Sequence, residues 1–143
     1  MSFKSNLINI VLVETSHPGN IGSVARAMKT MGLSNLSLVN PRKFPSGEAN
    51  ALSGNAGDVL ENAQIFNSIE DAIKDSTFVY ATSSRSRTIQ WPTVHAEEGA
   101  LLINDQVTSD KKVSILFGRE DRGLTNEELQ LANTHIEIPA NPE

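Results

Sequence analysis

Three short segments of the chain concentrate side chains that can bind and process a polar ligand. They are Glu14–Gly22, Thr82–Trp91 and Gly118–Gly123, and each is rich in Gly, Ser, Arg or Asn. The first contains Asn20 and the third contains Glu120. An amide and a carboxylate that converge with a guanidinium recognise a substrate carrying both hydroxyl and anionic groups. The residue types therefore favour recognition of a hydroxylated, anionic substrate.

Each candidate side chain also has an ordinary structural explanation. Arg26, after the first segment, falls near the edge of a helical apolar stripe, where its charged end can extend into water. Asn20 can cap a helix that starts at Ile21. Glu120 can form a surface ion pair of little energetic value. Each explanation is adequate alone, and it is the combination on converging loops that favours a binding site.

Several other chemistries fail on spacing. His17–Gly22 lacks the G-x-G-x-x-G pattern of a dinucleotide loop. Gly118–Thr125 has the frame of a phosphate-binding P-loop, but Leu124 stands where that loop needs lysine, which argues against ATP or GTP hydrolysis. The histidines lack metal-ligand spacing, so we expect surface or hydrogen-bonded histidines and no metal. These are His17, His95 and His135.

Apolar runs typical of strands alternate along the chain with helical patterns. The predicted strands are Leu7–Val13, Asn35–Val39, Ile65–Phe66, Thr77–Ala81, Val113–Phe117 and His135–Ile138. The predicted helices are Ile21–Met31, one or two short helices in Ser46–Asn62, Ser68–Lys74, Val94–Asn104 and a helix opened by Thr125. This alternation predicts an α/β domain with a mainly parallel sheet and helices on both faces. In such sheets ligands bind beyond the carboxyl ends of the strands, where the three polar segments begin.

Length and composition fit one globular domain over residues 1–143. The absence of cysteine excludes disulfides and thiolate metal sites, and is compatible with a reducing cytoplasm. No apolar run approaches the ~18 residues of a membrane helix. The first residues lack a small-residue cleavage site, so they are interpreted as leading into a strand rather than as a signal peptide.

The charge distribution is uneven. Twelve basic and 17 acidic residues give a net charge of −5, yet residues 15–47 contain no acid and four bases. Arg85 and Arg87 lie close together further on. A locally basic face on an acidic protein can bind nucleic acid. Ordinary solvated surface charge explains the same pattern.

Three stretches resemble the motifs of the SpoU branch of the SPOUT RNA methyltransferases. Asn20–Gly32 resembles the first motif, Leu116–Leu124 the second, and Ile138–Glu143 the opening of the third. The resemblance runs from about Asn9 onward, in the family's order and spacing. The residues of these segments are most similar to those of the TrmJ subgroup, which methylates the ribose 2′-hydroxyl at nucleotide 32 in the tRNA anticodon loop.

The resemblance implies a fold and partners that periodicity does not show. The family has an α/β-knot fold whose C-terminal segment threads a trefoil knot, a rare exception among protein topologies. Its members bind S-adenosylmethionine, need no metal, and form homodimers whose active site lies at the subunit interface. The implied RNA partner is tRNA.

The resemblance also implies residue roles. The catalytic set is Arg26, Asn20 and Glu120. The cofactor-binding set is Thr82, Ser83, Ser84, Gly118 and Ile138. The candidates for the tRNA backbone are Arg85, Arg87 and Lys29. The family's third motif continues with a Ser-rich turn and a helix that completes the knot. We therefore expect a catalytic domain that lacks the knot segment, part of the cofactor wall and part of the dimer interface.

The implied reaction is attack of a ribose oxygen on a sulfonium methyl group, aided by alignment and by loss of the hydroxyl proton. Arginine normally stays charged, so Arg26 is expected to bind the neighbouring phosphate and stabilise the developing alkoxide, with a role as base left open. An alternative is a non-catalytic nucleotide- or RNA-binding α/β module. A pure interaction protein is a third hypothesis, which the motifs disfavour.

Overall fold

The computed structural model describes residues 5–42, 44, 47–83, 92–119 and 123–138. The strands are β1 (Ile8–Val13), β2 (Asn35–Val39), β3 (Gln64–Phe66), β4 (Phe78–Ser83), β5 (Thr93–His95), β6 (Val113–Phe117) and β7 (Thr134–Glu137). The helices are α1 (Pro18–Met31), α2 (Gly47–Ser53), α3 (Gly57–Glu61), α4 (Ile69–Ile73), α5 (Ala96–Thr108) and α6 (Asn126–Leu129), preceded by a 3-10 turn at Ser5–Leu7. In the described ranges, every helix is too short or too polar to span a bilayer.

The strands form one sheet in the order β3-β2-β1-β6-β4-β7-β5. Every neighbouring pair is parallel; for example, Asn9 of β1 lies opposite Asn35 of β2 and Ser114 of β6. The predicted α/β class with a mainly parallel sheet is therefore confirmed.

The strand order reverses direction beside β1. From β1 the chain moves outward to β2 and β3, whereas β4 and β5 lie on the other side, and β6 later inserts between β1 and β4. A reversal of this kind leaves a crevice at the carboxyl ends of the strands, because the connections depart to opposite sides. The crevice lies between the ends of β1 and β6.

Helices cover both faces of the sheet, as predicted. One buried apolar cluster joins the sheet to α1, α2, α3 and α5. A second cluster joins the opposite face to α4 and α6. Burial of these side chains stabilises the fold by about 25 cal/mol per Å² of apolar surface.

The helix α1 packs tightly against α2. A Cβ atom built on Gly22 would lie 2.1 Å from the carbonyl oxygen of Ala49, so only glycine allows this approach. At its other end α1 stops at Gly32, whose φ of 78° is left-handed. Glycine adopts that conformation without the penalty of a side chain, so the predicted C-terminal stop is confirmed.

Local signals located most elements correctly. The β6 bounds agree with the prediction, and Ser68 caps α4 by accepting a hydrogen bond from the Asp71 amide. The capping box predicted at Thr125 is also present.

One strand was missed. Val94 was predicted to start a helix, but it lies in β5 and faces Ile136 of β7. The prediction was wrong because three residues carry no readable period, and the hydrogen bonds of this strand come from a segment distant in sequence. The helix follows directly, as α5.

Candidate active site

Two of the candidate cofactor residues end a strand rather than lie in a loop. The strand β4 continues through Thr82 and Ser83, two residues beyond its predicted end. Ser83 faces Glu137 of β7, and the amide of Ile138 donates a 2.8 Å hydrogen bond to the Ser83 carbonyl. The structure thus brings Ser83 and Ile138 together at the carboxyl edge of the sheet.

Thr82 connects β4 to the strand on its other side. Its hydroxyl donates a 3.0 Å hydrogen bond to the carbonyl of Leu116 in β6. Gly118 follows two residues later, just past the end of β6. The candidate cofactor residues in the described ranges therefore lie at the ends of three neighbouring strands, β6, β4 and β7.

Gly118 lies in close contact with the backbone of Gly123 and Leu124. A Cβ atom at this position would lie 2.2 Å from the carbonyl carbon of Gly123 and 2.3 Å from the Leu124 amide nitrogen. No larger residue fits without moving the backbone. The turn is closed by a pair of hydrogen bonds between Arg119 and Gly123.

Asn20 and Gly118 line a common cavity of about 350 Å³. The rest of its wall is mainly apolar and comes from β1, α1 and the end of β6. An apolar cavity lined also by one side-chain amide and by the backbone of a glycine suits a ligand that has both apolar and hydrogen-bonding parts.

Asn20 does not cap α1. The helix begins at Pro18 after an extended His17, so Asn20 is its third residue. The capping interpretation is therefore wrong. Proline favours the first turn because it lacks the amide hydrogen that would have no partner there, and this moves the start upstream.

Arg26 lies apart from that cavity. It is exposed, and it lies one helical turn after Gly22, on the side of α1 that faces α2. A Cβ atom placed on Gly54, in the turn after α2, would lie 3.7 Å from Arg26 Cδ. Within one chain, the structure does not bring Arg26 together with Asn20 and Gly118. Its position agrees with an arginine at the edge of the buried stripe.

The sequence interpretation missed a charged cluster around Arg119. The guanidinium contacts Glu128 through two hydrogen bonds of 3.0 and 2.9 Å. It also lies 3.1 Å from Glu14 Oε1 and donates a 3.3 Å bond to the Gly123 carbonyl. The signal available beforehand was the capping-box glutamate, which places a carboxylate near the second motif.

The cluster shifts the pKa values of its members. The hydrogen bond to Glu128 is the main cause that raises the pKa of Arg119 above its ordinary value; burial opposes this increase, and the contacts with Glu14 add to it. Burial pushes the pKa of Glu128 upward, but the hydrogen bonds from Arg119 and Thr125 prevail and lower it. Both groups are therefore charged at neutral pH.

Lys29, a candidate for RNA binding, is paired with an acid. Its ammonium group lies 2.8 Å from Asp58 Oδ2, and the two side chains are 43% and 54% exposed. The hydrogen bond from Lys29 lowers the pKa of Asp58. Exposed pairs of this kind contribute little stability, so the lysine can exchange its partner for another anion at low cost.

Several predicted site residues lie outside the described residues. They are Ser84, Arg85, Arg87 and Glu120. Among the described residues, no group of acidic or histidine side chains has the geometry of a metal site. His135 is buried, and its Nε2 atom lies 2.8 Å from the Leu129 carbonyl, in line with a hydrogen-bonded histidine.

Comparison with known proteins decides the family. Residues 7–143 match the SpoU rRNA Methylase family. The chain belongs to the SpoU methylase family. The segments that contain Asn20, Gly118 and Ile138 all lie within the matched range.

Relatives within the family carry a specific name. The chain is 52% identical to the tRNA (cytidine/uridine-2′-O-)-methyltransferase TrmJ of Sodalis glossinidius, over 95% of this chain and 53% of that protein. It therefore spans about half the length of this relative. The crystal structure of TrmJ from Z. mobilis has a TM-score of 0.88 at 38% identity, covering 94% of this chain and 59% of that one.

A more distant structure shows the likeness of the fold alone. The SpoU methyltransferase AviRb from Streptomyces viridochromogenes, solved in complex with the cofactor AdoMet, has a TM-score of 0.69 at 17% identity. The match covers 97% of this chain and 53% of AviRb. The SPOUT-type fold predicted from the motifs is confirmed for the parallel sheet and its helices.

Proposed function

We propose that residues 1–143 are the catalytic domain of an S-adenosylmethionine-dependent tRNA ribose 2′-O-methyltransferase. One observation carries this proposal: segments that resemble separate SpoU motifs lie at a single edge of the sheet. Ile138 bonds to Ser83 there, and Asn20 lines a cavity with Gly118. The TrmJ relatives supply the substrate class, tRNA, and the reaction. We further propose that the target is nucleotide 32 of the anticodon loop. The enzyme would act in the cytoplasm, where tRNA is abundant.

The residues at this edge fit the chemistry of the cofactor. Gly118 contributes only backbone to the cavity wall, because close packing against Gly123 and Leu124 leaves no room for a side chain, and the rest of the cavity is mainly apolar. Such a site accepts an adenosine and a methionine chain. The residues proposed to hold the cofactor are Thr82, Ser83, Ser84, Gly118 and Ile138. When bound, S-adenosylmethionine supplies a methyl group already activated by its sulfonium centre.

Arg26 is proposed to act on the substrate. A guanidinium stays charged and offers a planar pair of donors, which suits a phosphate beside the target ribose and an oxygen that gains negative charge. Asn20 is proposed to orient the ribose hydroxyl, and the carboxylate of Glu120 to accept its proton. Removal of that proton makes the ribose oxygen a competent nucleophile.

We propose that the active site is completed in a homodimer. Arg26 is exposed and lies outside the cavity that Asn20 and Gly118 share within one chain. An exposed arginine at the side of α1 that faces α2 is available to a second copy. Arg85, Arg87 and Lys29 are proposed to bind the tRNA backbone, which predicts a strong dependence on salt.

The test is transfer of labelled methyl from S-adenosylmethionine to unmodified bulk tRNA by the full-length protein. Digestion of the product should give 2′-O-methylated nucleosides, and cleavage of the anticodon loop should locate the label at nucleotide 32. Arg26→Ala should abolish transfer. Arg26→Lys should also fail, because lysine lacks the paired donors.

The matched control is Lys112→Ala, an exposed cation directly before the amino end of β6. This variant should keep full transfer. Intact tRNA binding without methyl transfer by the wild type would instead support a non-catalytic RNA-binding module. Full transfer by Arg26→Lys would contradict the paired-donor role of the arginine.

A further inference from the structure

The Arg119 guanidinium joins three parts of the chain that are separate in sequence. Its Nε and NH2 atoms lie 3.2 and 3.1 Å from Glu14 Oε1, after β1. Its two terminal nitrogens donate hydrogen bonds of 3.0 and 2.9 Å to the two carboxylate oxygens of Glu128 in α6. The side chains of Arg119 and Glu128 are each only 16% exposed, so water competes weakly for the bonds between them, whereas the Glu14 side chain is 45% exposed.

Arg119 lies on the other side of the sheet edge from the candidate ligand cavity. Gly118 lines that cavity together with Asn20. Arg119 lines a separate cleft of about 440 Å³ with Glu14 and Glu128. Gly118 and Arg119 therefore face opposite sides of the sheet edge. Any influence of the Arg119 guanidinium on a ligand in the cavity passes through the residues that Arg119 contacts.

The backbone next to Arg119 has little freedom to move. The Gly123 amide donates a 2.8 Å hydrogen bond to the Arg119 carbonyl, and the Arg119 amide returns one of 3.3 Å to the Gly123 carbonyl. The Arg119 guanidinium donates a further 3.3 Å hydrogen bond to the Gly123 carbonyl. These bonds fix Arg119 against Gly123. A shift of Arg119 displaces Gly118 with it.

Glu14 is held in an unusual backbone conformation. Its φ is 52°, and its amide donates a 2.8 Å hydrogen bond to the Val39 carbonyl. A non-glycine residue in the left-handed region persists only where its surroundings fix it, and such residues cluster at functional sites. The bond to Arg119 is a side-chain contact that stabilises it. Glu14 begins the segment that leads into α1 and Asn20.

We propose that Arg119 is a positioning residue, which couples the first-motif segment to the second-motif turn through Glu14 and fixes both against α6 through Glu128. It sets where Gly118 and Asn20 lie relative to each other, and hence the geometry of the cavity between them. The inference rests on the proposed function, because its consequence is weaker S-adenosylmethionine binding when the coupling is broken.

The test compares Glu14→Gln, Arg119→Lys and the double variant in the full-length protein. Glu14→Gln removes a charge with little change in volume, and Arg119→Lys keeps the charge but loses the fork. Each should weaken S-adenosylmethionine binding in calorimetry about tenfold. The KM for tRNA should stay within about twofold of wild type, because Arg119 lines a cleft separate from the cavity that Asn20 and Gly118 share. Glu61→Gln, an exposed carboxylate in α3, is the matched control and should change neither value.

Two further readouts separate positioning from general stability. The double variant should bind S-adenosylmethionine no worse than Arg119→Lys alone, because both changes break one contact. The Gly123 amide should exchange with solvent about tenfold faster in each variant, while the unfolding midpoint falls by only a few degrees. Losses that multiply in the double variant, or affinities within twofold of wild type, would overturn the inference.

The wild type separates this inference from the proposed function. A wild-type protein that neither binds S-adenosylmethionine nor transfers methyl would contradict the proposed function and the inference together. An active wild type with fully active variants would contradict the inference alone.

Discussion

The amide of Ile138 donates a 2.8 Å hydrogen bond to the carbonyl of Ser83. Ile138 is the first residue after the end of β7. This bond continues the parallel pairing of β4 and β7 to the edge of the sheet. It connects two segments that are 55 residues apart in sequence (138 minus 83). Neither segment could fix that position alone.

Replacing Ile138 by proline should separate the two segments. Ile138→Pro removes the donor but keeps an apolar residue, and a lost hydrogen bond costs about 1 kcal/mol. We expect the affinity for S-adenosylmethionine to fall about fivefold, as measured by calorimetry. Ile138→Val keeps the amide and should bind as the wild type does. Equal affinity of the two variants would contradict the role of this bond.

Adding one methyl group at Gly118 should disrupt the site. In Gly118→Ala, the new Cβ would overlap the backbone of Gly123 and Leu124, which cannot rotate away. Forced overpacking costs about 1–3 kcal/mol, so we expect a lower unfolding midpoint and strongly reduced cofactor binding. Gly57→Ala is the control, since nothing lies within 4 Å of a Cβ there. A Gly118→Ala protein that binds S-adenosylmethionine normally would show that the turn can relax.

A polar network around Asn9, near the amino end of β1, should contribute to the free energy of unfolding. Asn9 in β1 accepts a 2.7 Å hydrogen bond from Ser37 and donates one of 3.1 Å to Ser114. It also donates to the Ala72 carbonyl, which attaches α4 to the sheet. Asn9→Leu leaves these partners incompletely satisfied, so we expect a loss of about 1–3 kcal/mol in urea unfolding. Asn62→Ala, which removes an exposed local bond, should cost less.

Acid should weaken the Arg119–Glu128 pair. The folded-state pKa of Glu128 lies below its ordinary value of 4.5. Its contribution to stability is therefore complete above about pH 4.5, and is lost as the pH falls through the lowered folded-state pKa. Arg119 stays protonated throughout this range.

Unfolding in urea between pH 3 and 7 tests this. Glu128→Gln should show a shallower loss of stability below pH 4.5, because the variant has no carboxylate to protonate there. Glu61→Gln, whose carboxylate is exposed, should follow the wild-type curve. An unchanged slope in Glu128→Gln would contradict the assignment of the acid-sensitive contact.

The sequence located most elements through contiguous signals. The apolar run Val113–Phe117 predicted β6 with its observed bounds, and Gly32 predicted the end of α1. These signals suffice because burial periodicity and capping depend on residues a few positions apart. The motif residues identified the SpoU family for the same reason, since each motif is a continuous segment.

Spatial relationships among the motifs came from the tertiary structure alone. The insertion of β6 between β1 and β4 places Gly118 beside the first motif, and the pairing of β5 with β7 turned a predicted helix start into a strand. Arg119 contacts Glu14 across 105 residues, whereas Arg26, close to Asn20 in sequence, lies outside the cavity that Asn20 lines. Hydrogen bonds between distant strands and the direction of each side chain decide such contacts, and no local sequence pattern encodes them.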